Sequence, residues 1–149
     1  MTWWGWLILA VAAIGAFLVG GLFYRIREVR SAGTPVLFRS MPAGRGQGWR
    51  HGSVHYTEDA LVYYRLSSLR PGPTAVLPRR RVEITARRTP EGSELEIMDT
   101  AMVVLDVQVT VSTHRVVDYE IAMERVLVTA LLSWLESRSP ERSRRRRGA

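Results

Sequence analysis

Arginines surround a glycine-rich segment in the first third of the chain, and their chemistry suggests a binding site. Arg39, Arg45 and Arg50 flank or lie within Gly44-Arg-Gly-Gln-Gly48. The default interpretation of the glycines is a flexible hairpin loop, and the functional interpretation is that the three arginines are candidate contacts for an anion, a lipid or a partner. No predicted helix follows the glycines, which excludes a P-loop or a dinucleotide-binding motif.

A second group of arginines, Arg79, Arg80 and Arg81, lies between two predicted strands. Charges that bound a strand usually form a solvated rim that limits edge pairing. The functional interpretation is a groove for a peptide or an acidic partner. We therefore include these three residues among the candidate contacts for an anion, a lipid or a partner.

Histidine, serine and aspartate also occur close together, at His51, Ser53, His55 and Asp59. Two imidazoles without a cysteine or a convergent acid make a weak metal site. The Ser-His-Asp set lacks a nucleophile elbow and an oxyanion motif. The chain has no Cys, which excludes disulfides, thiolate metal sites and a cysteine nucleophile. We predict no catalytic residue, metal or cofactor; an enzyme with an unrecognised site is the alternative.

These groups must be positioned relative to an apolar N-terminal stretch, Trp3 to Tyr24, which contains no charged residue. At about 1.5 Å per residue, a helix of this length crosses a hydrocarbon core of about 30 Å. Aromatic rings and arginines at the ends of such a helix anchor it at the membrane interface. The anchors predicted here are Trp3, Trp4, Trp6, Tyr24, Arg25 and Arg27.

The charge around this stretch predicts its orientation. No basic residue precedes it, and Arg25, Arg27 and Arg30 follow it directly. The positive-inside rule therefore predicts a single-pass protein of the cell membrane, with its N-terminus outside and its remaining domain in the cytoplasm. A cleaved signal peptide is the alternative, but the stretch lacks a basic n-region and a small-residue cleavage site.

The net charge of +7 is uneven along the chain. Residues 31–137 contain twelve Arg and twelve acidic residues, whereas residues 138–149 contain six Arg and one Glu. This tail has too little apolar content to fold, so we predict that it is disordered. Its Arg144, Arg145, Arg146 and Arg147 are a candidate contact with anionic lipids at the membrane surface. Nucleic acid is a less suitable partner because aromatic residues are not interleaved with these charges.

The soluble part is predicted to be mainly β, with one helix at its end. Short runs rich in Val, Leu, Tyr and Thr are separated by Gly and Pro, which is typical of antiparallel strands. The seven predicted strands are 36–41, 49–57, 60–66, 74–78, 81–88, 94–98 and 102–111. From about Val116 the apolar period becomes helical, and Met123, Leu127, Leu131 and Trp134 form one stripe.

Seven strands followed by a helix is the order of the pleckstrin-homology-like fold, a bent seven-stranded barrel or sandwich capped by a C-terminal α-helix. The whole chain resembles the actinobacterial family named domain of unknown function 2550. The resemblance rests on the N-terminal span, on Arg79 to Arg81 and on three short motifs. These motifs are Gly48-Trp-Arg-His-Gly52, Tyr63-Tyr-Arg65 and Leu131-Leu-Ser-Trp-Leu135. It implies an architecture but no reaction.

The predicted organisation is a transmembrane helix (1–25), a basic juxtamembrane linker (26–33), a pleckstrin-homology-like domain (34–137) and an Arg-rich tail (138–149). We expect a single-pass membrane protein whose cytoplasmic domain binds or scaffolds a protein partner without catalysis. The alternative is a sensor of anionic lipids at the membrane surface.

Overall fold

A computed structural model describes residues 3–44, 46–68, 70 and 72–137 of the chain. Its first element is helix α1, Trp3–Ser31. Apolar residues without Pro allow an uninterrupted helix, and Gly33 and Pro35 follow its end. The helix therefore extends through most of the predicted linker 26–33. Its 25-residue segment Trp3–Arg27 is apolar and long enough to cross a membrane, and none of this segment is buried.

Seven antiparallel strands form one sheet in the order β4-β3-β2-β1-β7-β6-β5. The strands are β1 (Thr34–Ser40), β2 (Arg50–Tyr56), β3 (Ala60–Arg65), β4 (Ala75–Pro78), β5 (Val82–Arg88), β6 (Met102–Ser112) and β7 (Arg115–Glu124). Two consecutive meanders, β1–β4 and β5–β7, are joined because β1 pairs with both β2 and β7. Strands β4 and β5 are the two edges, and the sheet curls into a half-barrel.

The inner face of the sheet carries the main hydrophobic core. Alternate residues of the strands point to this face, including Phe38, Val54, Tyr63, Leu105 and Ile121. Helix α2, Arg125–Glu136, covers the core with buried Val128 and Leu131. Burying a side chain of this size contributes roughly 1.5–3 kcal/mol. Helix α2 is thus held to the sheet by its apolar face.

A second, smaller core lies on the outer face of β1, β7 and β6. Leu37, Ala122 and Val104 are neighbours in the strand register there. Trp49, at the end of the β1–β2 connection, and Met98, in the β5–β6 connection, cover them. The same β5–β6 connection contains a short 3₁₀ helix, Gly92–Glu96. Both connections are therefore part of the packed domain.

The predicted fold class is confirmed as an apolar N-terminal helix, a curled seven-stranded antiparallel sheet and a C-terminal helix. Two elements differ from the prediction, however. The expected strand 94–98 is largely the 3₁₀ helix, and the segment expected to begin a helix at Val116 is strand β7. The number of strands agrees because one strand was predicted in excess and another was missed.

Candidate functional site

Arg39, predicted to contact an anion or a partner, is instead buried on the outer face of β1. Its exposed fraction is 5%, and its guanidinium lies 4.4 Å from the centre of the Trp49 ring. Its Nη1 donates to the carbonyl oxygens of Gly44 and Gln47, at 3.1 and 3.3 Å. Arg39 thus organises the glycine-rich connection from within and is not available to a membrane surface.

Arg39 belongs to a buried ion network, which we define as Arg39, Arg88, Glu94 and Glu120. Arg39 Nε pairs with Glu120 on the neighbouring strand β7, and its Nη2 lies 3.4 Å from Glu94 Oε1. Arg88 donates from both Nη atoms to Glu94, at 2.6 and 2.8 Å, and from Nη2 to Glu120 at 3.1 Å. Two guanidinium groups are balanced by two carboxylates, so the network offers no net charge to attract an anion.

The hydrogen bonds within the buried ion network shift the pKa values of Glu94 and Arg88. The bidentate hydrogen bonds from Arg88 lower the pKa of Glu94 to about 2, and the Glu91 backbone N–H and the charge of Arg39 act in the same direction. The pKa of Arg88 is raised, chiefly by its hydrogen bonds to Glu94. Both groups are therefore charged throughout the physiological range.

Asp106 lies beside the buried ion network, opposite Glu120 in the β6–β7 register. Burial raises the pKa of Asp106, and the neighbouring Glu120 carboxylate raises it further. Its Oδ1 is buried and has no hydrogen-bond partner among the residues that the structure describes. Asp106 is thus the acid of this cluster whose charged form is disfavoured.

The other two arginines predicted as contacts at the glycine-rich segment are Arg50 and Arg45. Arg50 is exposed at the start of β2, and its carbonyl oxygen accepts a hydrogen bond from the Tyr63 hydroxyl at 3.0 Å. Arg45 lies outside the described residues. Among the described residues, the structure therefore does not bring Arg39 and Arg50 together as one anion-binding surface.

The Arg79–Arg81 cluster is a short 3₁₀ helix whose members differ in their contacts. Arg79 Nη2 donates to the Trp134 carbonyl and to Ser137 Oγ, the latter at 2.6 Å, and its guanidinium lies 4.9 Å from the Trp134 ring centre. Arg79 Nη1 also donates to the Glu58 carbonyl at 3.2 Å. Arg79 therefore joins the end of α2 to the β2–β3 turn.

Arg80 and Arg81 border an open cleft of about 680 Å³, which we call the arginine cleft. The cleft lies between the start of β5 and the end of α2, where Ile84, Leu135 and Glu136 line it. Arg80 and Arg81 are both exposed, and Arg81 Nη1 donates to the Val111 carbonyl at 2.9 Å. Of the three clustered arginines, Arg80 and Arg81 are the two that face this cleft.

A mostly apolar groove of about 420 Å³ lies on the outer face of β1 and β2. It is lined by Pro35, Leu66, Ile97, Ala101, Met102 and Val126, among others, and we call it the exit groove. Local sequence patterns do not reveal this groove, because its lining residues come from separate segments of the chain. The alternation of Leu95 and Ile97 in the predicted strand 94–98 was the nearest signal.

The histidines of β2 lie on this same outer face, His51 at the exit groove and His55 beside the end of α1. The Cβ of a side chain at Gly33 would lie 2.7 Å from His55 Nε2 and from the Val54 carbonyl oxygen. The described residues contain no group of three His, Cys, Asp or Glu side chains that could hold a metal ion.

The predicted membrane anchors on α1 are all exposed. Trp3, Trp4, Trp6 and Tyr24 have exposed fractions between 59% and 70%, and Arg25 and Arg27 are exposed at the other end from the tryptophans. The predicted tail contacts, Arg144, Arg145, Arg146 and Arg147, lie outside the described residues.

Comparisons with known proteins identify relatives of the chain but assign no reaction. A family described as protein of unknown function (DUF2550) matches residues 8–141. An uncharacterized protein of Mycobacterium leprae is 45% identical over 140 residues, which are 94% of each chain. Uncharacterized proteins of two Mycobacterium tuberculosis strains are 44% identical over the same share of each chain. No solved structure matches the chain.

Proposed function

We propose that this chain, which belongs to the DUF2550 family of proteins of unknown function, is a single-pass membrane protein whose β domain binds a protein partner without catalysis. One observation carries this proposal. The apolar segment Trp3–Arg27 has no buried residue, although the β domain follows it after a few residues. An exposed apolar surface of this size is unfavourable in water, so lipid or protein must cover it.

The charge at the end of α1 supports a cytoplasmic location for the β domain. Arg25 and Arg27 are exposed at the end of the apolar segment that leads to β1, whereas residues 1–24 contain no charged side chain. Cytoplasmic flanks of membrane helices are enriched in arginine and lysine. The protein thus places its β domain at the inner surface of the cell membrane.

The non-catalytic part of the proposal rests on how the buried charged groups are used. Glu94, Glu120, Arg39 and Arg88 neutralise one another in the buried ion network. Catalytic acids and bases usually combine a shifted pKa with access to a substrate cavity. The lowered pKa of Glu94 keeps this carboxyl group ionised and paired to Arg88, which is the behaviour of a structural group.

The arginine cleft is the surface that we assign to a protein partner. Its lining combines the apolar Ile84 and Leu135 with the charged Arg80, Arg81 and Glu136. Protein interfaces commonly surround an apolar centre with a polar rim, and arginine is enriched in them. Strand β5, which borders the cleft, is also an edge of the sheet.

Site-specific crosslinking of the full-length protein in native membranes tests this function. In one variant, a photoreactive amino acid replaces Arg80 at the cleft. In the matched control variant, the same photoreactive amino acid replaces the exposed Arg87 at the far end of β5. We expect one protein to be captured from position 80 and not from position 87. Equal capture from both positions, or capture of lipid alone, would contradict the proposed partner surface.

Sensing of anionic lipids is the second candidate, and the exposed Arg50 and the six arginines of residues 138–149 favour it. An arginine near an anionic membrane surface contributes about 1 kcal/mol of attraction. Vesicle binding by residues 32–149 and 32–137 distinguishes the two functions. Strong, salt-sensitive binding that requires residues 138–149 would support the lipid sensor, and weak binding by both fragments would support the protein-binding module.

A further inference from the structure

We propose that the exit groove takes up an acyl chain of a zwitterionic phospholipid from the bilayer that holds α1. This inference rests on the membrane anchoring in the proposed function, but it is independent of the protein partner. It gives the β domain a second contact with the membrane besides its covalent connection to α1.

The first support is the apolar surface that the groove leaves open. Leu66, Ile97 and Val126 are 53%, 42% and 79% exposed, respectively. They come from the end of β3, the β5–β6 connection and the start of α2, and Pro35 and Met102 also line the groove. The volume of about 420 Å³ falls within the range of about 300–1,000 Å³ that is typical of ligand pockets.

The second support is the short distance between the groove and the end of the membrane helix. Helix α1 ends at Ser31, and Pro35 already lines the groove. Four residues span at most about 14 Å. Gly33, between them, lies against Val54 and His55 of the neighbouring strand β2. The groove therefore has one lining residue, Pro35, within about 14 Å of the end of α1.

The depth of α1 in the bilayer brings the groove close to the lipid headgroups. The apolar segment Trp3–Arg27 has 25 residues, or about 37 Å of helix, which exceeds a hydrocarbon core of about 30 Å. Arg27 consequently lies at headgroup level, and Ser31 is about 6 Å further along the helix. An acyl chain can enter the groove while its headgroup stays near the interface.

The charges at the rim indicate the kind of lipid. Arg125 lies beside the groove together with Asp99 and Glu124. A guanidinium suits a phosphate, and a carboxylate suits the ammonium of the same headgroup. An anionic headgroup without an ammonium would instead meet two carboxylates. The mixture of charges therefore favours a zwitterionic phospholipid such as phosphatidylethanolamine over an anionic one.

Photolabelling of the full-length protein in vesicles tests the inference. The vesicles contain phosphatidylethanolamine and phosphatidylglycerol, with a trace of phosphatidylethanolamine whose acyl chain ends in a diazirine. In a bilayer this chain end lies near the midplane, so it labels the middle of α1. We expect additional labels on the peptides that contain Leu66, Ile97 or Val126, because a bound chain carries its end into the groove.

Two variants and a matched control distinguish a bound chain from a merely adhesive surface. Val126→Asp places a charge at the groove, and Ala101→Trp fills it with an apolar ring. We expect each to reduce groove labelling about tenfold, since a charge or a lost cavity disfavours an alkyl chain. Val116→Asp changes an equally apolar residue, 53% exposed, in the β6–β7 hairpin and should leave the labelling unchanged.

The outcomes separate this inference from the proposed function. A protein that floats with the vesicles but carries labels on α1 alone overturns the inference and leaves membrane anchoring intact. Groove labelling that Ala101→Trp increases would identify general adhesion and would also overturn it. A protein that does not float with the vesicles would overturn both the membrane anchoring and the inference.

Discussion

Arg39 on β1 and Glu120 on β7 are register partners whose side chains form an ion pair on the outer face of the sheet. This pair lies at the junction where the two meanders of the sheet meet. A buried ion pair seldom adds net stability over an apolar pair, but loss of one member leaves the other charge buried. We infer that the pair specifies which strands join at this junction.

Removal of one charge from this pair should be strongly destabilising. We expect Glu120→Gln to lower the free energy of unfolding by about 3 kcal/mol, because Arg39 remains buried with less compensation. Chemical unfolding of the full-length protein in detergent micelles, followed by circular dichroism, measures the change. Glu124→Gln, on the exposed end of the same strand, is the control and should change stability by less than about 0.5 kcal/mol. Similar losses from both substitutions would contradict the role of the pair.

Stability should depend on acidic pH through Glu94. Its pKa is about 2 in the folded protein, against an ordinary value of 4.5 for a solvated glutamate. Because folding lowers this pKa, the stabilisation is complete above about pH 5 and is lost as the pH falls from 4.5 towards 2. We expect the free energy of unfolding of the wild type to exceed that of Glu94→Gln by about 3 kcal/mol at neutral pH. This difference should shrink as the pH falls from 4.5 towards 2. A difference that stays constant with pH would refute the prediction.

The contribution of Asp106 to stability should depend on pH with the opposite sign. Folding raises its pKa, so ionised Asp106 opposes folding at neutral pH, and this cost disappears when the pH falls below its ordinary, unfolded pKa. We predict that Asp106→Asn stabilises the protein at pH 7 by about 1 kcal/mol, since the amide removes repulsion and can donate to Glu120. Thermal unfolding of both proteins at neutral and acidic pH measures this gain. A gain that persists unchanged in acid would point to a cause other than charge.

The contrast between Arg79 and its neighbour Arg80 predicts different effects of the same substitution. Arg79→Lys should destabilise the protein by about 1–2 kcal/mol, because an ammonium cannot reproduce the fork that contacts Trp134, Ser137 and Glu58. Arg80→Lys keeps the positive charge at the cleft and should have an effect near zero. Thermal denaturation, together with the fluorescence of Trp134, compares the two variants. Equal effects would show that the contacts of Arg79 contribute little.

The elements with strong hydropathy patterns could be predicted from the sequence, but one boundary could not. Val103, Leu105, Val107 and Val109 alternate along β6, and the last three of them are buried in the core as expected. The β7–α2 boundary was missed because no Gly or Pro lies near Glu124 and Arg125, where the strand ends and the helix begins. Apolar residues continue across the boundary, so a helical period fits both segments.

The prediction of a strand at 94–98 was wrong for a different reason. A strand there would alternate Leu95 and Ile97 with Glu94, whereas the structure buries Glu94 and leaves Leu95 and Ile97 47% and 42% exposed. Arg88 and Arg39 hold Glu94 in the interior. Glu120, the other acid of the network, lies 81 positions from Arg39 in the sequence. Local patterns contain no information about such distant partners.

The contact of Gly33 with β2 bears on how the membrane acts on the domain. The Cβ of any larger residue would overlap a backbone oxygen, the Val54 carbonyl, as well as the His55 ring. The short connection from Ser31 to Thr34 is therefore seated against the sheet and does not act as a free swivel. With α1 in a bilayer, as we propose, a change in the tilt of α1 would therefore act on β2 through this connection and change the direction in which the β domain faces.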